Sequence, residues 1–198
     1  MRLQKSMLLV AVVIMFTAGC DALAKARFIP KEKLTPQMED SIAKAIQNED
    51  HSRLRSYGKK AVPMLLETVL KNPASFDAGN FILDIGKSRD TRAVPALLHI
   101  LSQIKYRISH KAVAMALADI QDKSAIGPLQ KAFEREKGYI AAGKLKGPDY
   151  GWGLANDYAA QVARQHGLAL QRLGVRVGDV PQDNMAKMHE EFKRMQRE

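Results

Sequence analysis

A six-residue block returns every 32 residues along this chain. Ala61-Val62-Pro63-Met64-Leu65-Leu66 is followed at that spacing by Ala93-Val94-Pro95-Ala96-Leu97-Leu98, and again by Ala125-Ile126-Gly127-Pro128-Leu129-Gln130. The proline slips by one place in the third copy while the apolar positions hold. A fixed period of this length marks a stacked-repeat architecture, in which each unit buries its apolar face only against its neighbours. Asp90 and Asp122 precede the last two copies at the same offset. Aspartate can cap a helix start, and proline is tolerated in the first turn because its missing N–H would be unpaired there.

Between the blocks lies a second pattern. Leu54-Arg55-Ser56-Tyr57-Gly58, Ile82-Leu83-Asp84-Ile85-Gly86, Leu117-Ala118-Asp119-Ile120-Gln121 and Leu170-Gln171-Arg172-Leu173-Gly174 all read apolar-x-x-apolar, usually then glycine. Glycine there fits a left-handed helix C-cap. Helical spacing continues upstream: Ala78, Ile82 and Ile85 share a face, as do Val113, Leu117 and Ile120, and His166, Leu170 and Leu173. Alternating strand patterns are sparse. The unit is helix, turn, helix.

D-x-x-A-V-P-A-L-L followed by A-L-x-x-I-G resembles HEAT-like repeats of the short bacterial kind, over about residues 40–174. The resemblance implies an all-α fold, an α-solenoid of HEAT-like helix pairs, with the second helix of each pair lining a concave face. Solenoid ends need covering. Thr35-Pro36-Gln37-Met38-Glu39 reads as an N-cap, a first-turn proline and an early acid, opening a capping helix to about Gln47. At the other end Met185, Met188, Phe192 and Met195 fall on one helical face, so residues 181–198 are expected to form a capping or docking helix. The solenoid is then expected over 35–180.

The opening residues raise a separate matter. Arg2 and Lys5 precede an apolar run over residues 7–16, and Thr17, Ala18 and Gly19 follow. Positive leader, short greasy stretch and small residues have the order of a secretory signal peptide, and the run is shorter than the roughly 20 residues a membrane span needs. Cys20 is the only cysteine. Thr17-Ala18-Gly19-Cys20 resembles the lipobox of bacterial lipoproteins, with Thr17 where that family prefers leucine. The resemblance implies removal of residues 1–19 and a covalent lipid on Cys20, with 20–34 as a tether. The alternative is an ordinary signal peptide that leaves a free thiol, a liability in an oxidising compartment. Asp21 resembles the inner-membrane retention signal of the enteric sorting rule, so a periplasm-facing anchor in the inner membrane is favoured over the outer. With no second cysteine, neither a disulfide nor a thiolate metal site is expected.

The net charge is +10, and loss of Arg2 and Lys5 with the leader brings it to +8. Such a balance attracts acidic partners or anionic lipid. The basic residues are spread along the chain, which suits solvated helix faces, and export argues against nucleic acid.

The third helix pair is longer than the others by about 21 residues. The extra stretch lies at about 137–157 and holds five glycines with Tyr139, Tyr150 and the lone Trp152. It is read either as a partner-binding loop or as a plug folded over the repeat ridge.

Catalytic motifs are wanting. Gly86-Lys87-Ser88 ends like a phosphate-binding loop, but Phe81 stands where that loop needs glycine. Asp84 and Asp119 hold equivalent places in successive repeats and are candidates for a paired acid or cation site, or for solvated helix ends. His166 is expected to be a hydrogen-bonded packing residue, and His110 with Lys111 to sit at a surface. The reading is a non-enzymatic scaffold of the bacterial cell envelope, without catalytic residues, metal or cofactor beyond the lipid. It would be held to membrane lipid through Cys20 and would bind another envelope protein through Tyr139, Tyr150, Trp152, Asp84, Asp119 and Lys111. The alternative is an enzyme or enzyme accessory, since some HEAT-like bacterial proteins are bilin lyases. If the chain is not exported, it is a nucleic-acid-binding protein, as some basic HEAT-like proteins are DNA-repair glycosylases.

Overall fold

A computed structural model describes residues 33–142 and 154–181. It holds eight α-helices and no strand among the described residues: α1 Pro36–Gln47, α2 His51–Tyr57, α3 Val62–Lys71, α4 Phe76–Ser88, α5 Val94–Ser102, α6 His110–Ile120, α7 Ile126–Ala142 and α8 Leu154–Arg172. Consecutive helices pair as α1–α2, α3–α4, α5–α6 and α7–α8. The even-numbered helices also pack on one another in unbroken succession, α2 on α4, α4 on α6 and α6 on α8. In the odd-numbered layer, close packing is confined to α1 on α3 and α5 on α7. The fold is an all-α helical repeat solenoid, and its even layer is the more continuously packed of the two.

Local chemistry sets the helix starts. The Thr35 hydroxyl accepts from the Met38 N–H at 3.3 Å, and Pro36 opens α1. Asp50 caps α2 and Ser75 caps α4 in the same way, each cap contributing roughly 1 kcal/mol. Asp90 and Asp122 accept from the N–H two residues on, at 3.0 and 2.8 Å. Each therefore opens a single 3₁₀ turn that leads into α5 or α7, one turn earlier than a direct cap of the long helix. Arg92 also clasps Asp90 with Nε and Nη2.

The repeat alanines Ala61, Ala93 and Ala125 are all fully buried, and Leu65, Leu97 and Leu129 one turn later are nearly so. Leu54, Ile82, Leu117 and Leu170 of the second pattern are buried too. Each such leucine or isoleucine contributes about 1.5–3 kcal/mol relative to exposure. Three of the four C-cap positions take positive φ: Gly58 at 56°, Gln121 at 63° and Gly174 at 85°. Gly86 does not. It lies inside α4, and the left-handed cap falls three residues later on Arg89 at φ 53°. Gly86 is needed for proximity: a β-carbon there would stand 2.6 Å from Ala116 Cα and 2.9 Å from Ala116 Cβ. The missing side chain lets α4 and α6 touch backbone to side chain.

The extra length of the last pair is absorbed in part by longer helices, 17 residues in α7 and 19 in α8 against 9–13 in α3 to α6. Residues 137–142 continue α7 and 154–157 begin α8. Tyr150 and Trp152 lie outside the described residues, as do residues 1–32 with Cys20, and the methionine face at 185–195. After Gly174 the chain turns back over α8. Val175 N–H bonds to Leu170 O, and Val180 lies against Gly167, so residues 175–180 help to cover this end of the stack.

Candidate functional site

The even-numbered helices repeat the same surface. Counted from the buried Leu54, Ile82, Leu117 and Leu170, the residues at −6, −2 and +2 fall on the face turned away from the core. In α4 these are Phe76, Asn80 and Asp84, in α6 Lys111, Met115 and Asp119, and in α8 Arg164, Leu168 and Arg172. Residues four apart stack one above another on a helix. Three helices side by side therefore present three rows across the even layer.

The row at +2 is ionic. Asp84 accepts from His51 Nδ1 at 2.6 Å and Arg55 Nε at 2.9 Å, both on α2. Asp119 accepts from Lys87 of α4 at 2.8 Å and Arg172 of α8 at 2.5 Å. Both carboxylates are buried, at 5% and 9% exposure. They are therefore neither solvated helix ends nor a pair sharing a cation, because each is already neutralised by side chains of the adjoining repeats. Burial alone would push Asp119 up, but the hydrogen bonds from Lys87 and Arg172 outweigh it and hold the carboxyl below its usual range. Among the described residues no group of three or more His, Cys, Asp or Glu is placed to hold a metal ion.

The other two rows are open. Phe76, Met115 and Leu168 are 81%, 40% and 37% exposed, three of the four most exposed large apolar side chains among the described residues. Met115 and Ala118 of α6 face Leu168, Ala169 and Arg172 of α8 across a groove of about 390 Å³. Lys111 stands one turn above Met115, with Nζ donating to Gln161 Oε1 of α8 at 2.9 Å. Lys111 and Asp119 thus lie on one face, but Tyr139 lies elsewhere. It is half-buried on α7, with the Arg107 guanidinium 5.6 Å above its ring.

Arg107 leads into a buried polar cluster that the sequence did not announce. Its Nε and Nη2 donate to one Glu136 oxygen at 2.9 and 2.6 Å, and the Glu136 carboxylate is wholly buried. The other Glu136 oxygen and Arg135 Nε make no hydrogen bond. His110 is also fully buried, not at a surface, because it caps the space between α5, α7 and α8. Its Nε2 lies 3.2 Å from the Ile100 and Gln103 carbonyls, while Arg135 Nη2 approaches Nδ1 at 3.4 Å. That set of partners fits a neutral ring with the proton on Nε2. His166 is buried as its place on the core face implies, but neither ring nitrogen has a hydrogen-bond partner, so it packs unsatisfied. Desolvation is the main cause that pushes both rings down. It is reinforced by Arg135 at His110 and by His110 and then Arg135 at His166, to about 4 and about 3. The two rings lie 6.2 Å apart. Both are held neutral inside the stack, a packing role.

The exposed pair Met115 and Leu168 was missed by sequence reasoning although a signal existed. Each sits two residues before a buried leucine, about 200° round the helix from the apolar stripe. An apolar side chain so placed cannot serve the core.

In comparison with known proteins, a family model for the PBS lyase HEAT-like repeat matches residues 111–135. That segment runs from α6 through the 3₁₀ turn into α7, one complete junction between repeats. No curated protein and no solved structure gives a match.

Proposed function

We propose that this chain is a protein-interaction scaffold of the bacterial cell envelope, lipid-anchored through Cys20 and facing the periplasm, which binds another envelope protein on the even-numbered helices and performs no chemistry of its own. The observation that carries the reading is the open groove between α6 and α8. Isolated exposed apolar residues are ordinary, but Met115 and Leu168 occupy equivalent positions of adjacent repeats and flank one groove. Repeat solenoids commonly use their inner surface for binding. The basic balance of the chain favours an acidic partner, and the leader with Thr17-Ala18-Gly19-Cys20 supplies the route to the membrane.

A photo-reactive amino acid placed at Leu168 in cells tests the docking role. A discrete cross-linked protein in the membrane fraction is expected. A second probe at Glu67, an exposed residue of α3 in the odd layer, should give none. Identical products from both positions, or none from either, would remove the scaffold reading.

A further inference from the structure

We propose that the α6–α8 groove receives an acidic amphipathic helix: an apolar stripe of about two turns with aspartate or glutamate at both ends. This deepens the scaffold reading and rests on it. The middle row over α6 and α8 is Met115 and Leu168. One turn above Met115 is Lys111, and the row below is Asp119 and Arg172. Asp119 is the one carboxylate in this set, and it is shared by Arg172 and by Lys87. Lys87 and Arg172 still keep more than half of their side-chain surface exposed, at 59% and 51%. The groove is therefore apolar in the middle, with Arg172 and Lys87 outnumbering the one carboxylate at its lower end and Lys111, bonded only to the neutral Gln161 amide, one turn above Met115 at the other.

The length of the groove also suits a helix. From the upper to the lower row is eight residues, about 12 Å along the helix axes. A partner helix lying in the groove would cover that length with an apolar stripe at i, i+4 and i+7, about 10 Å long, and the long lysine and arginine side chains would reach acids just past its two ends. Helix-in-groove recognition takes this form.

The test uses the purified full chain without its leader and a fluorescent, alanine-based helical peptide with a central leucine stripe and glutamates in its first and last turns. A twin peptide carries lysine for glutamate, and phosphatidylglycerol vesicles form a third arm. The glutamate peptide is expected to bind about tenfold more tightly than its twin, a difference of ~1.4 kcal/mol. Binding should weaken with salt. The double variant Met115→Gln/Leu168→Gln should lose it, as should Lys111→Glu, with unchanged circular dichroism melts, since both apolar positions are exposed. Equal binding of the two peptides, or binding that survives Met115→Gln/Leu168→Gln, overturns the proposal. So does vesicle binding that needs Met115 and Leu168 while the peptide fails to bind. If the peptide fails but the probe at Leu168 still cross-links a protein in cells, the inference falls and the scaffold reading stands.

Discussion

Asp119 and Arg172 occupy the same position of successive repeats, two residues past the buried leucine, and they bond to each other across the α6–α8 contact. Lys87 of the preceding repeat holds the other oxygen of the same carboxylate. One buried acid therefore ties three even-numbered helices together. Asp119→Asn removes the charge from both contacts. The two cations are half-exposed and can return to water, so the loss should be about 1–2 kcal/mol, below the 3–5 kcal/mol of a fully buried pair. Urea unfolding of Asp119→Asn, Arg172→Gln and the double variant should show non-additivity of at least roughly 0.5 kcal/mol.

Gly86→Ala should destabilise the fold although alanine is the better helix former. The propensity gain is about 1 kcal/mol. Against it stands a β-carbon 2.6 Å from the Ala116 backbone, an overpacking cost of about 1–3 kcal/mol that moves two helices. A lowered melting midpoint checks this, and Gly138→Ala, at an open position in α7, should raise it.

Glu136 is the most costly charge to disturb. Glu136→Ala would remove the carboxylate to which the Arg107 guanidinium, 12% exposed, donates twice. Breaking a buried pair this way costs about 3–5 kcal/mol. The double variant Arg107→Leu/Glu136→Leu should cost less than Glu136→Ala alone, measured by denaturant unfolding.

Stability should fall in mild acid through the two histidines. In the unfolded chain they take up protons near 6.5, whereas in the folded chain they do so only near 4 for His110 and near 3 for His166. The unfolded state thus binds more protons between those values, so stability is full above 6.5 and is lost as the pH drops from there. Asp119 adds to the loss only below 3.8, as its lowered carboxyl is protonated. His166→Leu should flatten the curve between 6.5 and 3. It should leave stability at neutral pH equal or higher, because two buried unpaired nitrogens disappear. Thermal melts across that range check the sign.

Cys20 should carry the anchor. Mass spectrometry of the membrane-bound protein is expected to find an acylated N-terminal Cys20, and Cys20→Ser should release the chain from the membrane fraction. A soluble form with a free Cys20 thiol would count against the anchor.

The helix pairs were legible in the sequence because burial and period coincide. Ala61, Ala93 and Ala125 are fully buried and Leu65, Leu97 and Leu129 nearly so, and a 32-residue period can be read without knowing a single contact. The caps were legible for a local reason, since Thr35 and Asp90 act within three residues of themselves. Gly86 misled because a glycine at the end of an apolar stripe reads alike whether it frees φ or yields space to a neighbour. Asp84 and Asp119 were found as equivalent acids, but their fate depended on Arg55, Lys87 and Arg172, which come from other repeats. The Glu136 cluster was hidden for the same reason: Arg107 lies 29 residues away, and nothing in the intervening sequence marks the pairing.

The row that holds Met115 and Leu168 reads Ser52 and Asn80 in the two earlier repeats. A solenoid built from like units invites a ligand to slide, since a shift by one unit would otherwise find an equivalent seat. Here the oily rungs stop at α6, and a ligand displaced toward α4 would trade a methionine for an amide. Among the described residues this row is therefore directional, with its large apolar side chains gathered on the last two even-numbered helices.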